Sequence, residues 1–191
     1  MKHPLFRYPS NVETEGFKSV IWFWYFLFYS FLGFLLEVSF AWTTGGRPDR
    51  KCLLVLPLCP VYGLGACAIL MLPQWIAARP LLLFLCGAGT ATVVEYATAV
   101  FYERMLGVSF WDYQGLPGSI QGRVCLPFSL AWGVLAIPLV RWVHPAAAHW
   151  LAAIPGPVTA LALVTLVSDI LLSAVLLRRS GDRDSLRWYR T

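Results

Sequence analysis

Charge is what this sequence has least of. Only 13% of its 191 residues are Asp, Glu, Lys or Arg, whereas 58% are hydrophobic and the mean hydropathy is +0.64. An ordinary soluble domain is about 25% charged and 45–50% apolar, so a water-soluble fold of this size is excluded. Paired cysteine motifs are missing too. Cys52, Cys59, Cys67, Cys86 and Cys125 form an odd set with no C-x-x-C spacing, mostly inside apolar runs, and indicate neither a disulfide framework nor a zinc site. A Gly-rich phosphate loop ending in Lys and Ser or Thr is likewise absent, so any ATP hydrolysis has to come from a separate subunit. The first apolar run is long and aromatic and lacks a small-x-small cleavage site. It reads as a retained first anchor, not a signal peptide.

The apolar residues lie in long blocks. Cys52–Ala78 and Trp142–Ser168 are each 27 residues without a formal charge, and Val124–Val140 is a further 17. About 20 apolar residues cross a bilayer as a helix, so most of the chain is read as membrane-spanning. Nine Trp, eight Tyr and twelve Phe agree, because aromatic rings collect at the membrane–water interface. The net charge of +5 arises largely from Arg178, Arg179, Arg183, Arg187 and Arg190 beside Trp188 and Tyr189. A basic tail directly after a span is an anchor for anionic lipid headgroups, and membrane lipids are expected as partners while nucleic acid is not.

These blocks predict an all-α membrane protein with about five transmembrane helices: Lys18–Thr43, Leu53–Ile76, Pro80–Tyr102, Val124–Val143 and Ile154–Leu177. Clusters of Gly, Pro or charge mark the turns: Gly45–Arg50, Ala78-Arg79-Pro80, Gly107–Gly122, and His144-Pro145 through Pro155-Gly156-Pro157. The expected domains are a polar segment 1–17, one transmembrane domain 18–177 and a basic tail 178–191. Five spans put the two ends of the chain on opposite sides. Lys2, Arg7, Lys18, Arg79 and Arg141 then share one side, and Arg47, Arg50, Lys51, Arg104, Arg123 and the tail arginines share the other. The positive-inside bias places the N-terminus outside and the C-terminus in the cytoplasm.

Two helix pairs look alike. Leu35-Leu36-Glu37-Val38-Ser39 matches Val93-Val94-Glu95-Tyr96-Ala97, each helix leads through a loop to Arg-x-Cys-Leu (Arg50–Leu53 and Arg123–Leu126), and Pro57-Leu58-Cys59-Pro60-Val61-Tyr62-Gly63 matches Pro127-Phe128-Ser129-Leu130-Ala131-Trp132-Gly133. A tandem two-helix unit would give parallel repeats related by an axis along the membrane normal, with the fifth helix added. Chance is the alternative, because the last block needs a gap.

Glu37, Glu95 and Asp169 fall within apolar spans. A carboxylate at the bilayer centre costs about 2.5–3.5 kcal/mol on insertion scales, so such groups face the bundle interior and mark functional paths. Small residues share their faces: Ser30 and Gly33 with Glu37, Ala88, Ala91 and Thr98 with Glu95, Thr165 and Ser173 with Asp169. Either the acids serve only packing, or at least one binds a substrate, ion or proton. Pro57 and Pro60, followed by Gly63 and Gly65, imply irregular backbone and a cavity wall; a plain kink is the alternative. Phe110-Trp111-Asp112-Tyr113 reads as an interfacial aromatic anchor in a Gly-rich loop able to dip into the membrane. Arg123 at the membrane edge is able to pair with Glu95, Glu37 or Asp112, or to hold an anionic headgroup.

The runs Tyr29–Glu37, Pro57–Gly63, Glu95-Tyr96, Trp111-Asp112-Tyr113, Gly122–Cys125 and Phe128–Gly133 together resemble the bacterial ABC-transporter type IV permease family over roughly Phe26 to Pro145. Phe34, Leu56 and Gln121 stand where Trp, Gly and Asn are usual in that family. The resemblance implies a multi-pass inner-membrane protein, the permease half of an ATP-driven transporter, with Glu37, Cys59, Tyr62, Glu95, Asp112 and Arg123 as key positions. Ser129 and Trp132, in the last matching run, and Asp169, the third intramembrane acid, complete the expected substrate-binding set. No catalytic residue, metal or cofactor is expected. A chain of five spans is small for a permease, so a homodimer and a separate ATP-binding subunit are the expected partners. The rival readings are a membrane-embedded enzyme acting on a lipid-linked substrate, with Glu37 or Glu95 as base, Asp112 as acid and Arg123 on a phosphate, and a non-catalytic accessory membrane protein.

Overall fold

Proline decides where several helices begin. In the computed structural model, which describes residues 15–45 and 53–186, Cys59 and Arg79 precede Pro60 and Pro80 in extended conformation (φ −111°, ψ 93° and φ −108°, ψ 112°), and helices start at the prolines. Proline clashes with an αR conformation in the residue before it, yet its own fixed φ suits the first helical position. The helices are α1 (Glu15–Thr43), α2 (Pro60–Leu70), α3 (Gln74–Ala77), α4 (Pro80–Phe101), α5 (Leu126–Pro138), α6 (His144–Ala152) and α7 (Gly156–Ser180). A π-helical turn, Tyr102–Leu106, extends α4, another, Leu139–Val143, joins α5 to α6, and a short 3₁₀ turn, Arg183–Leu186, follows α7.

Among the described residues the fold is all-α, with four helical stretches long and apolar enough to cross a membrane: Val20–Thr43, Pro80–Leu106, Leu126–Ala152 and Gly156–Ser180. The expected span Leu53–Ile76 is corrected. Residues 53–59 are not helical, α2 has 11 residues, and α3 is a separate turn. Pro57 and Pro60 hold Leu56 and Cys59 out of the helix, and Pro73 has no N–H to continue α2. At 1.5 Å per residue α2 is about 16 Å long, half a bilayer core. The turn expected at His144-Pro145 is corrected as well, because α5 runs on through the π-turn into α6. Pro138 and Pro145 cannot donate within this helix, and the wider π-turn between them lets it continue. The Gly46–Cys52 part of the first loop, residues 1–14 and residues 187–191 of the tail lie outside the described residues.

Glycine sets the spacing of the bundle. A Cβ on Gly33 would strike the Tyr62 side chain, and one on Gly63 would lie 2.6 Å from the Phe26 carbonyl, so α2 lies closely along α1. A Cβ on Gly133 would lie 2.8 Å from the Phe84 carbonyl, bringing α5 equally close to α4. Helix α2 also packs on α4, where Ile69, Leu83, Ala91, Trp132 and Ala136 form one buried cluster. Helix α7 is attached mainly at its C-terminal half. There Leu177 and Leu186 pack with Tyr102, Leu106, Val108 and Phe110; towards its N-terminus Trp24 Nε1 donates to Thr159 Oγ1 at 3.0 Å.

Candidate functional site

Glu37 lies six residues before the end of α1 and Glu95 lies in the C-terminal half of α4. Each accepts a hydrogen bond from an aromatic donor on the helix packed against its own. The Tyr62 hydroxyl donates to Glu37 Oε1 at 2.9 Å, and Trp132 Nε1 donates to Glu95 Oε2 at 3.1 Å. The registers match. Phe26 and Phe84 each lie eleven residues before their Glu, and each faces the Gly that follows the donor, Gly63 or Gly133. Tyr62 and Trp132 each come five residues after Pro57 or Pro127. The two donor rings meet, with centroids 4.9 Å apart.

A third donor comes from the loop between α4 and α5. Tyr113 N–H donates to Gly122 O at 2.7 Å and Trp111 Nε1 donates to Arg123 O at 2.8 Å, tying the two arms of the loop together. Gly122 takes φ +73°, and a side chain there would strike the Asp112 carboxylate, so only glycine closes this turn without strain. The closed loop turns Tyr113 inward, stacked on Phe128 at 4.7 Å, and its hydroxyl donates to Glu95 Oε1 at 2.9 Å. Burial, helped by the Glu95 charge, pushes the Tyr113 phenol well above its ordinary pKa. It therefore stays a neutral phenol, which donates to Glu95 here. From sequence Tyr113 reads as part of an interfacial anchor, and its nearest signal is the Gly-rich loop expected to dip into the membrane.

Glu37, Tyr62, Glu95, Tyr113, Phe128 and Trp132 line a cavity of about 60 Å³, and the other described residues around it, Val61, Trp111, Ala131 and Leu135, are apolar or aromatic. Tyr62, Trp132 and Leu135 also line a neighbouring slot of about 330 Å³ between α1, α2 and α5. That slot extends from Tyr29 and Val143 to Leu36 and Ser39, and its walls are almost wholly apolar. Pockets of this size, apolar with a few convergent polar groups, are the usual form of small-molecule sites.

Four of the nine expected site residues therefore meet: Glu37, Tyr62, Glu95 and Trp132. Cys59 does not join them as a thiol. It is fully buried and disulfide-bonded, which also revises the reading that no disulfide is indicated. Ser129 faces α4, accepting from Thr92 Oγ1 at 2.8 Å and donating to Cys125 O at 2.9 Å. Asp112 is exposed and accepts the Gln114 N–H at 2.9 Å. Asp169 accepts the N–H groups of Val55 (3.1 Å) and Leu56 (3.0 Å) and the Ser173 hydroxyl (3.2 Å), so it clamps the irregular segment before α2.

Arg123 pairs with none of the three acids expected for it. Its Nη2 donates to Glu103 Oε2 at 2.6 Å and its Nε to the same oxygen at 2.9 Å. Nη1 reaches Gln121 and the Tyr96 hydroxyl, and the guanidinium lies 5.4 Å from the centre of the Tyr96 ring. The hydrogen bonds to Glu103 hold this guanidinium charged even more firmly than usual. Glu103 wins because the π-turn after α4 presents it beside the loop end that carries Arg123, whereas Glu95 lies two turns deeper.

The family model described as "Putative ABC-transporter type IV" matches residues 24–176. No curated protein sequence and no solved structure matches the chain significantly. The chain belongs to that family, and it is a bacterial multi-pass inner-membrane protein.

Proposed function

From that membership, we propose that the chain is the permease component of an ATP-driven transporter and that the cavity between Glu37 and Glu95 holds part of the substrate. One observation carries this reading: two carboxylates at matching places on two helices face one small cavity inside a membrane bundle. Packing alone would be served by apolar residues at lower cost. The family implies a separate ATP-binding subunit, and the absence of a phosphate loop in this sequence agrees.

The proposal includes a two-helix repeat, in which α1 with α2 and α4 with α5 are parallel copies and α7 is added. Its support is the shared Phe, Glu, Pro, aromatic and Gly spacing together with the equivalent hydrogen bonds. It further takes residues 53–70 as the second crossing, extended first and helical after, because α2 runs antiparallel to α1: Tyr62 lies at Gly33, and Ala66 lies with Tyr25 and Tyr29. Five crossings put the N-terminus outside and the basic C-terminus in the cytoplasm, with residues 18–177 as one membrane domain between a polar N-terminal segment and the basic tail. The site then opens towards the cytoplasmic half. A homodimer would complete a translocation path too wide for one small bundle.

The enzyme reading has less support, because Asp112 and Arg123 do not line the carboxylate cavity. Mild-detergent purification of the full chain from its own host tests the transporter reading. An ATPase is expected to copurify, and Glu37→Gln and Glu95→Gln should abolish flux while the assembly remains intact. Unchanged flux in both variants would reduce the acids to packing.

A further inference from the structure

We propose that the carboxylate cavity is reached along a route inside the bundle from a further cavity beside α3, and that the hydrogen-bonded pair Tyr29 and His144 is the gate on that route. This rests on the reading of the carboxylate cavity as a substrate site. The route is read from shared walls. The cavity at Glu37 and Glu95 and the apolar slot have Tyr62, Trp132 and Leu135 in common. At its other end the slot shares Ile69 with a cavity of about 560 Å³, whose lining includes Leu72, Gln74, Ala77 and Arg141. Val143 lines the slot, and the next residue, His144, lines this larger cavity. The pair stands between them. The hydroxyl of Tyr29, a slot residue, and His144 Nδ1 are hydrogen-bonded at 3.0 Å, and Tyr25 meets the His144 ring edge-on with centroids 4.8 Å apart. Because the slot is almost wholly apolar, the route suits a molecule with a substantial apolar part.

The partition lies where the backbone is least regular. Ile69 is the second-last residue of α2, and the π-turn Leu139–Val143 runs between Pro138 and Pro145, neither of which has an N–H to donate. A helix lacking those donors adjusts more readily than a regular one, so His144 can turn away from Tyr29 without breaking an intact ladder. Arg141 Nη2 donates to Ala78 O at 2.9 Å and ties the π-turn to the end of α3, which leaves one rim of the larger cavity fixed while His144 moves. The surroundings of the pair are otherwise apolar, with Ile21, Ala66 and Ala148 packed in the same cluster as Tyr25 and Tyr29. A wall needed only for packing would be closed by such residues. A single hydrogen bond closes it reversibly, since the net cost of exchanging it for water is small.

Thiol labelling of the full chain in nanodiscs tests this. Ala66→Cys places a thiol in the slot wall beside Tyr29, and its rate of modification by a small water-soluble methanethiosulfonate is measured, with the same chain retaining Ala66 as the background for the native cysteines. Tyr29→Phe removes the hydroxyl and keeps the ring. It should speed modification about fivefold, the weight of one net hydrogen bond in an equilibrium. Adding Ala77→Trp, which fills the larger cavity at a distance from the pair, should cancel that gain. Thr92→Val removes a hydrogen bond between α4 and α5 that lies off the route and should leave the rate unchanged. An unchanged rate in Tyr29→Phe would overturn the gate, and a gain that survives Ala77→Trp would overturn the route. An equal gain in Thr92→Val would mean a general loosening of the bundle and would also overturn the gate. None of these variants alters Glu37 or Glu95, so the substrate site stands or falls separately, on the flux of the Glu37→Gln and Glu95→Gln variants.

Discussion

Asp169 and Glu95 are both buried acids on apolar helices, at 8% and 5% exposure, yet their surroundings differ in kind. Asp169 accepts two backbone N–H groups and a serine hydroxyl, and no cavity is lined by it among those described. Glu95 accepts one phenol and one indole, side chains from two other elements, and faces open space. Backbone donors are fixed and cannot reverse. A phenol hydroxyl can rotate and accept instead of donating. The first arrangement holds a chain segment in place, and the second tolerates a change of charge at the acid, as a site that takes up and releases a ligand requires.

The sharpest way to break this contrast is Asp169→Asn. The amide keeps one acceptor oxygen but presents an NH₂ to the second backbone N–H, leaving a buried donor unsatisfied and two donors facing each other. Each unmet buried group costs about 1–3 kcal/mol, so a loss of about 3 kcal/mol is expected in equilibrium unfolding of the protein in detergent. The segment before α2 should loosen first, seen as faster hydrogen exchange at Val55 and Leu56. A loss below 1 kcal/mol would mean that the clamp is not holding this segment.

Much of this contrast was not legible in the sequence. The expected spans match α1, α4 and α7 to within three residues at each end, because a spanning helix needs little beyond length and apolarity. Those same criteria failed for residues 53–59, which are as apolar as a helix; the signal lay in Pro57 and Pro60 and in what each does to the residue before it. Pro145 misled in the opposite direction, since a π-turn absorbs it within a long helix. The site divides similarly. Glu37, Glu95, Tyr62 and Trp132 were marked by repeated spacing, and spacing on packed helices is geometry. Tyr113 and the Arg123–Glu103 pair depend on how a loop closes through glycines at positive φ, and side-chain identity alone does not carry that.

Close helix approach creates the cavity at Glu95, so a second prediction concerns Gly133. Gly133→Ala would press a methyl against the Phe84 carbonyl and ring, and overpacking of this kind costs about 1–3 kcal/mol; a loss of about 2 kcal/mol is expected. Gly89→Ala, on the same bundle but with nothing within 4 Å of its added methyl, should instead be neutral or stabilising by up to about 1 kcal/mol. Thermal unfolding of the two variants side by side separates loss of glycine at a contact from loss of glycine in a helix. Similar destabilisation by both would mean that the α4–α5 approach does not shape the site.

The smallest effect on stability is expected at the acid with the largest role in binding. In Glu95→Gln the amide oxygen keeps the Trp132 indole as its donor, because that N–H cannot do anything else. The amide NH₂ then faces Tyr113, whose hydroxyl turns to accept, so every buried polar group still has a partner. The charge is lost from an apolar span, which itself lowers the cost of burial. The change in unfolding free energy should therefore stay below about 1 kcal/mol, against about 3 for the corresponding acid-to-amide change at Asp169. The measurement is the difference between the two variants in one detergent. If Glu95→Gln is as damaging as Asp169→Asn, both acids are structural clamps and the cavity loses its claim to a ligand. If the gap holds, the adaptable donors around Glu95 mark it as the acid that can change partners.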